Sequence, residues 1–339
     1  IEFFQKPLRS YITNHVWMVQ DYCRYFNISN LCILMTSKRK KIISLNTVFR
    51  YFLLILFFFL FGSILRQNEK DKLAALENTP VIVVSPEVIS PGDPVMVTIT
   101  SSSTVKEVSI NGKKYGTVIY DKKPRAFVAI PFEEKREKYK VVARFNNGSV
   151  YEKEFGIKMR EKLEKPLGIP EKLGGNTQTA GKSLVNNLST ENSLINKIQS
   201  TTTPLWSESF VGPLKTLYIT DEYGYSRNTV GYNILHKGTD FRAPVGTEVF
   251  AINRGRVVLA RDFTVYGNTI IVDHGNGLIS LYMHLSRINV KEGDSVKAGE
   301  VIGLSGKTGY AEAPHLHISI KLDGESIDPA TFFEFFGVL

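Results

Sequence analysis

Four histidines and one aspartate in the last third of the chain have spacings that suit metal chemistry. His236 and Asp240 stand four apart in His236-Lys237-Gly238-Thr239-Asp240, and His315 and His317 flank Leu316. Residues 314–322 alternate polar and apolar, the period of a strand, so His315 and His317 project from one face. Asp240 offers a hard oxygen and His236 a nitrogen. Two imidazoles and one carboxylate make a three-ligand zinc set that leaves a fourth position open, as in hydrolytic sites and unlike closed structural ones. A fourth candidate, His284, lies in Leu281-Tyr282-Met283-His284-Leu285, while His15 and His274 are set aside. His274, in Asp273-His274-Gly275-Asn276-Gly277, reads as a turn residue.

The elements that must hold these side chains read as β-structure. Residues 255–260, 268–272 and 278–283 have strand character, and 290–303 reads as a hairpin framing an antiparallel sheet. Two other motifs here have bland explanations. The hairpin is similar to that of lipoyl and biotinyl carrier domains, but no turn presents a lysine for modification. Residues 301–308 end in Gly306-Lys307-Thr308 like a phosphate-binding loop, yet Val301 replaces its first glycine and the context is a sheet turn. Nucleotide binding is therefore not expected. There is no HExxH, so the glutamate base of that zinc-peptidase class is missing.

Residues 209–333 resemble the catalytic domain of the M23 metallopeptidases, the lysostaphin or LytM-type peptidoglycan endopeptidases. The resemblance is carried by 236–249 (HKGTDFRAPVGTEV), 266–278 (YGNTIIVDHGNGL), 281–286 (LYMHLS) and 314–317 (PHLH). It implies that His236, Asp240 and His317 bind Zn²⁺ and that His284 and His315 are the catalytic histidines beside the metal. The implied activity is hydrolysis of peptide cross-links in bacterial peptidoglycan, with D,D-specificity suggested by similarity to Gram-negative-type members. The alternative is a non-catalytic LytM-type wall-binding protein or amidase activator on the same fold. Some similar proteins carry prodomain-like segments, which raises the expectation that the preceding segments fold back over the cleft.

The chain has 339 residues, 43% hydrophobic and 22% charged, which excludes wholesale disorder. Only two cysteines, Cys23 and Cys32, are present, which excludes a disulfide framework. The net charge of +9 divides into +6 for residues 1–80 (11 basic, 5 acidic), +6 for 81–203 (19 and 13) and −3 for 204–339 (12 and 15). The basic charge thus lies away from the candidate chemistry and gives no reason to expect a nucleic-acid partner. Residues 51–65 carry no charge and follow Lys38, Arg39, Lys40 and Lys41. This is the arrangement of a signal peptide or membrane anchor, read here over 47–65, with the basic cluster cytoplasmic and the remainder outside. The expected location is the cell envelope, anchored in the inner membrane facing the periplasm or secreted into it. Met35 followed by Thr36-Ser37-Lys38 reads as the natural start, with residues 1–34 arising upstream of it.

Between these ends the fold class is mostly β. Residues 80–159 predict a small immunoglobulin-like β-sandwich with strands at 81–84, 95–100, 105–110, 126–130, 140–145 and 150–155. Residues 160–203, rich in Asn, Ser and Thr after Gly174-Gly175, predict a tether with weak helical content. Residues 204–339 predict the zinc peptidase domain, an antiparallel β-sheet fold of LytM type.

Overall fold

The computed structural model describes residues 45–77, 79–161, 163–206 and 209–339. They fall into two compact units, the first ending at residue 77 and the second running from 78 to the end. The expected start at Met35 and the basic cluster Lys38–Lys41 lie outside the described residues. The first unit contributes helix α1, Leu45–Glu77. Phe57, Phe58, Phe59 and Leu60 on it are exposed, as are Leu53, Leu54, Phe61, Ile64 and Leu65. Among the described residues no helix is long and apolar enough to cross a membrane.

The second unit opens with eight strands: β1 (Val81–Ser85), β2 (Pro94–Thr100), β3 (Val105–Ile110), β4 (Lys113–Tyr115), β5 (Val118–Tyr120), β6 (Lys123–Ala129), β7 (Lys138–Phe145) and β8 (Val150–Gly156). They form two four-stranded sheets, ordered β1-β2-β6-β5 and β4-β3-β7-β8. Alternate residues from both sheets, among them Val95, Val97, Ile99, Val108, Val128, Val141 and Phe145, meet in one core. The strands β4 and β5 escape the sequence pattern because three residues are too few to show a period.

Residues 160–203, expected as a tether with weak helical content, hold a longer helix and a strand that joins the next domain. Strand β9 (Glu164–Pro166) adds to a small sheet of the next domain, and helix α2 spans Gln178–Ile195. Thr177 caps α2 by accepting the Ala180 N–H. Its composition is a poor helix former, but tertiary contacts override that. Leu184 is buried with Ile169, Ala180 and Val265, and Ile195 packs on Ile271, Ile279, Leu281 and Met283. The Glu191 carboxylate is buried and accepts the backbone N–H groups of Val265 and Tyr266 at 2.9 and 3.2 Å.

The last domain holds β10 (Ile219–Asp221), β11 (Ser226–Thr229), β12 (Tyr232–Leu235), β13 (Thr239–Arg242), β14 (Glu248–Phe250), β15 (Gly255–Phe263), β16 (Gly267–Gly275), β17 (Leu278–Leu285), β18 (Arg287–Ile288), β19 (Ser295–Val296), β20 (Val301–Leu304), β21 (His315–Leu322), β22 (Glu325–Ile327) and helix α3 (Pro329–Phe335). The main sheet runs β10-β13-β21-β17-β16-β15-β19, with β22 beside β21. One face buries Ile252, Ile270, Val272, Tyr282, Leu316, Ile318 and Ile320 in the domain core. The opposite face carries Ile271, Ile279, Leu281 and Met283, over which α2 lies. Tyr120 and Phe127 of the sandwich stack edge-on against Trp206, and Phe336 and Phe210 complete that aromatic cluster. Arg160 ties the same two domains by pairing with Asp93 and Asp328 at 2.5 and 3.1 Å.

Candidate metal centre and active site

The centre forms where β13 and β21 lie antiparallel, with Asp240 opposite His317 and Arg242 opposite His315. Strand alternation then sets the Asp240 and His317 side chains on one face. His236, just before β13, is held by its backbone N–H to Tyr225 and its ring Nδ1–H to the Glu222 carbonyl at 2.7 Å. That bond fixes the tautomer and turns Nε2 inward. Gly238 is required by close approach, since a Cβ there would fall 2.3 Å from His317 Nε2. This explains the glycine in the HKGTD segment.

The three inward atoms converge. His317 Nδ1 lies 2.7 Å from Asp240 Oδ1 and 3.1 Å from His236 Nε2, and His236 Nε2 lies 3.2 Å from Asp240 Oδ1. His317 Nε2 is engaged outward by Ser319 Oγ at 3.0 Å. All three residues are buried, and their donor atoms lie within 4.8 Å of one another. Burial pushes His317 down to about 4 against the pull of Asp240, so it is neutral at pH 7. Burial alone would raise the Asp240 carboxyl, but the charge of His317 and hydrogen bonds from His236 and His317 hold it well below the usual range. Two imidazole nitrogens and one carboxylate oxygen brought this close form a donor set in which a divalent cation can take the place of the shared protons. The residues therefore fit Zn²⁺.

His284 and His315 stand beside this set. His284 lies near the end of β17 at φ +59°, a left-handed conformation rare for a residue with a Cβ. The β16–β17 register shifts across this position, the mark of a bulge that re-aims a side chain. Its backbone N–H bonds the Tyr266 carbonyl, and its Nδ1–H donates to Thr308 O at 2.9 Å. Burial, then the charges of His315 and His317, pull it down to about 3. The His315 ring is half-buried, with its centroid 4.8 Å from that of His284. Its Nδ1–H donates to Ala313 O at 2.9 Å and its Nε2 lies 3.7 Å from Asp240 Oδ1. All five sequence-derived residues thus share one site, each with one ring nitrogen or carboxylate oxygen turned inward.

Sequence reasoning missed the groups behind them. Arg227 on β11 donates to Asp240 Oδ2 at 2.6 Å and also to Asp221, which Lys165 holds at 2.7 Å. Glu191 fixes Tyr266, the acceptor for the His284 backbone. Neither has a local motif, because each reaches its partner across the fold. His274, by contrast, is no turn residue. It is fully buried at the end of β16 and bonded to Arg254 O and Ser280 Oγ, and the turn begins at Asn276, whose φ is +51°.

A cleft of about 1090 Å³ runs from His236, His284 and His317 along the sheet to Lys321, with Leu184, Leu188 and Asn192 of α2 opposite. The segment expected to fold back over the site therefore forms a wall of the cleft and does not fill it. The polar centre thus sits at one end of a large β-framed cleft.

Residues 234–329 match Peptidase family M23. Through this domain the chain belongs to that family. It is 43% identical over 93 residues to the peptidoglycan DD-endopeptidase ShyA of Vibrio cholerae serotype O1, covering 27% of this chain and 22% of that protein. It is 36% identical over 122 residues to the DD-carboxypeptidase/endopeptidase Mpg of Neisseria meningitidis serogroup B, covering 36% and 28%. It is 48% identical over 99 residues to lysostaphin of Staphylococcus staphylolyticus, covering 28% and 20%. The matched segment thus spans about a quarter of the length of these curated relatives. Among solved structures, a peptidase M23 from Pseudomonas aeruginosa covers 75% of this chain and 96% of its own at 27% identity and a TM-score of 0.49.

Proposed function

We propose that the chain is a zinc-dependent endopeptidase that hydrolyses peptide cross-links of bacterial peptidoglycan, with D,D-bonds as its targets. The observation that carries this reading is the convergence of His236, Asp240 and His317 with two further histidines beside them. His236 Nε2, Asp240 Oδ1 and His317 Nδ1 would hold the ion. When bound, Zn²⁺ supplies Lewis-acid polarisation of the scissile carbonyl and acidifies a water to a pKa of about 7. The chain's own groups do the rest. His284 presents a neutral Nε2, since its Nδ1 proton is committed to Thr308, and can take a proton from the attacking water. The same His284 Nε2 can return that proton to the leaving amine, and His315, more open to solvent, can donate to the developing oxyanion when protonated at Nε2. The similarity to ShyA and Mpg supports the choice of substrate and of D,D-bonds.

Location follows the substrate. The uncharged run 51–65 behind four basic residues supports an anchor or export segment that places the second unit outside the cytoplasm, in the cell envelope. Digestion of purified sacculi by the Zn²⁺-loaded protein tests the central reading. New amino termini in the released muropeptides, abolished by a chelator and restored by Zn²⁺, are expected. A zinc-loaded protein that releases none refutes catalysis in favour of a non-catalytic wall-binding role.

A further inference from the structure

At the end of the cleft away from the histidines stands a cation that, among the described residues, forms no ion pair. On β21 the residues His315, His317, Ser319 and Lys321 share one face, because every second side chain does. Lys321 is therefore set on the same surface as the metal-facing histidines, about 13 Å beyond His317 at about 3.3 Å per residue. It is half-buried and lines the cleft. Its Nζ–H donates to Asn196 Oδ1 at 2.5 Å, just past the end of α2, which leaves two of its three N–H donors free. Among the described residues no carboxylate lies within ion-pair distance of it. Asp323 and Glu325 line the same end of the cleft, Asp323 paired with Lys113 at 3.9 Å and Glu325 acting on Lys321 by its charge without forming an ion pair. The second cation there, Lys237, also lines the cleft, and among the described residues no carboxylate pairs with it.

A partly buried ammonium without an ion-pair partner is unfavourable, since one hydrogen bond to Asn196 replaces only part of the hydration that burial removes. Burial, and next the charge of Lys237, lower the Lys321 pKa against the opposing pull of Glu325. An anion entering the cleft would repair both deficits. We infer that Lys321, oriented by Asn196 and assisted by Lys237, binds a carboxylate of the peptide substrate three to four residues from the bond cut at the histidines. This deepens the function proposed above and rests on it. It makes the chain selective for stems that carry a free carboxylate at that distance, and α2 part of the substrate site through Asn196.

The competing role is that Lys321 only fastens the end of α2, where a cation favours the helix dipole. The two are separated by measuring binding of a cross-linked muropeptide dimer, with its carboxylates free or amidated, to the Zn²⁺-loaded full chain carrying His284→Ala to prevent turnover. The same binding is measured with Lys321→Met or Lys321→Arg added. Lys321→Met should weaken the free-acid dimer about tenfold, the scale of a charge-assisted hydrogen bond, and the amidated dimer little. Lys321→Arg should keep most of the preference. Equal weakening of both dimers, or a lowered Tm with the preference intact, overturns the inference, as does failure to bind either dimer. A wild-type chain that cleaves neither dimer refutes the proposed function, while the binding preference still decides the role of Lys321.

Discussion

Replacing His274 with glutamine should remove a pH-dependent part of the stability that has nothing to do with catalysis. The His274 Nδ1–H donates to Arg254 O at 2.9 Å, so Nε2 must accept, and Ser280 Oγ stands 2.7 Å from it. Ser280 Oγ is 3.0 Å from the Tyr282 hydroxyl, whose oxygen accepts the Ile252 N–H at 2.9 Å. With Ile252 donating at one end and Arg254 accepting at the other, the hydroxyls must run Tyr282 to Ser280 to His274. A proton added at Nε2 would turn the Ser280 O–H toward Tyr282 and leave the phenol without an acceptor. Burial accordingly pushes His274 from 6.5 down to about 4. Between those values the unfolded chain binds a proton that the native chain refuses, so stability falls as pH drops through the window and is flat above it. At about 1.36 kcal/mol per pH unit the loss from His274 reaches about 3 kcal/mol. Asp93, pushed up to about 6 by burial against the pull of Arg160, works in the opposite sense over part of the same range. The quantity to measure is therefore the difference between wild type and His274→Gln in urea unfolding from pH 4 to 8, in which Asp93 cancels. The difference should shrink by about 3 kcal/mol toward pH 4. Parallel profiles would refute the one-way hydrogen-bond chain.

Three other outcomes follow from the site. Arg227→Met strips Asp240 Oδ2 of its donor and should weaken Zn²⁺ binding by roughly 10- to 100-fold in competition with a chelating dye, whereas unchanged affinity would mean Asp240 is oriented without it. His284→Ala should keep its zinc yet lose about 10²- to 10⁴-fold in turnover, and loss of the metal instead would make His284 a ligand. Glu191→Ala leaves the Val265 and Tyr266 N–H groups unpartnered and should cost about 3 kcal/mol, read as a lower urea midpoint. An unaltered midpoint there would show that water replaces the carboxylate.

Two pairs of site residues were legible from local spacing, while the place of His284 and the division into ligands and catalytic histidines came from the resemblance to M23 peptidases. The alternation around His315 and His317, and the spacing of His236 and Asp240 across Gly238, are local features that survive any arrangement of the remaining chain. What supports them was not legible. Arg227 meets Asp240 only because β11 and β13 belong to neighbouring sheets, and Glu191 meets Val265 across 74 positions of sequence. Helical content in 160–203 was legible from the spacing of Leu184, Leu188 and Ile195, but not its length, since the Asn, Ser and Thr content of α2 disfavours a helix until Glu191 also finds its partners. For His274, the turn signal Asn276-Gly277 begins only two residues past it, so a buried strand end resembles a loop in sequence. In the sandwich, the six strands with clear period two lie within a few residues of their expected places.

The contact between the sandwich and the peptidase domain has a consequence for how such a chain can change over evolutionary time. Tyr120, Phe127, Trp206, Phe210 and Phe336 shield one another from water, and Arg160 neutralises carboxylates from both sides of the boundary. Neither partner could be exchanged alone without laying bare an oily patch and stranding buried charge. The pair is therefore bound to be inherited together, and substitutions at the seam should arise as matched sets.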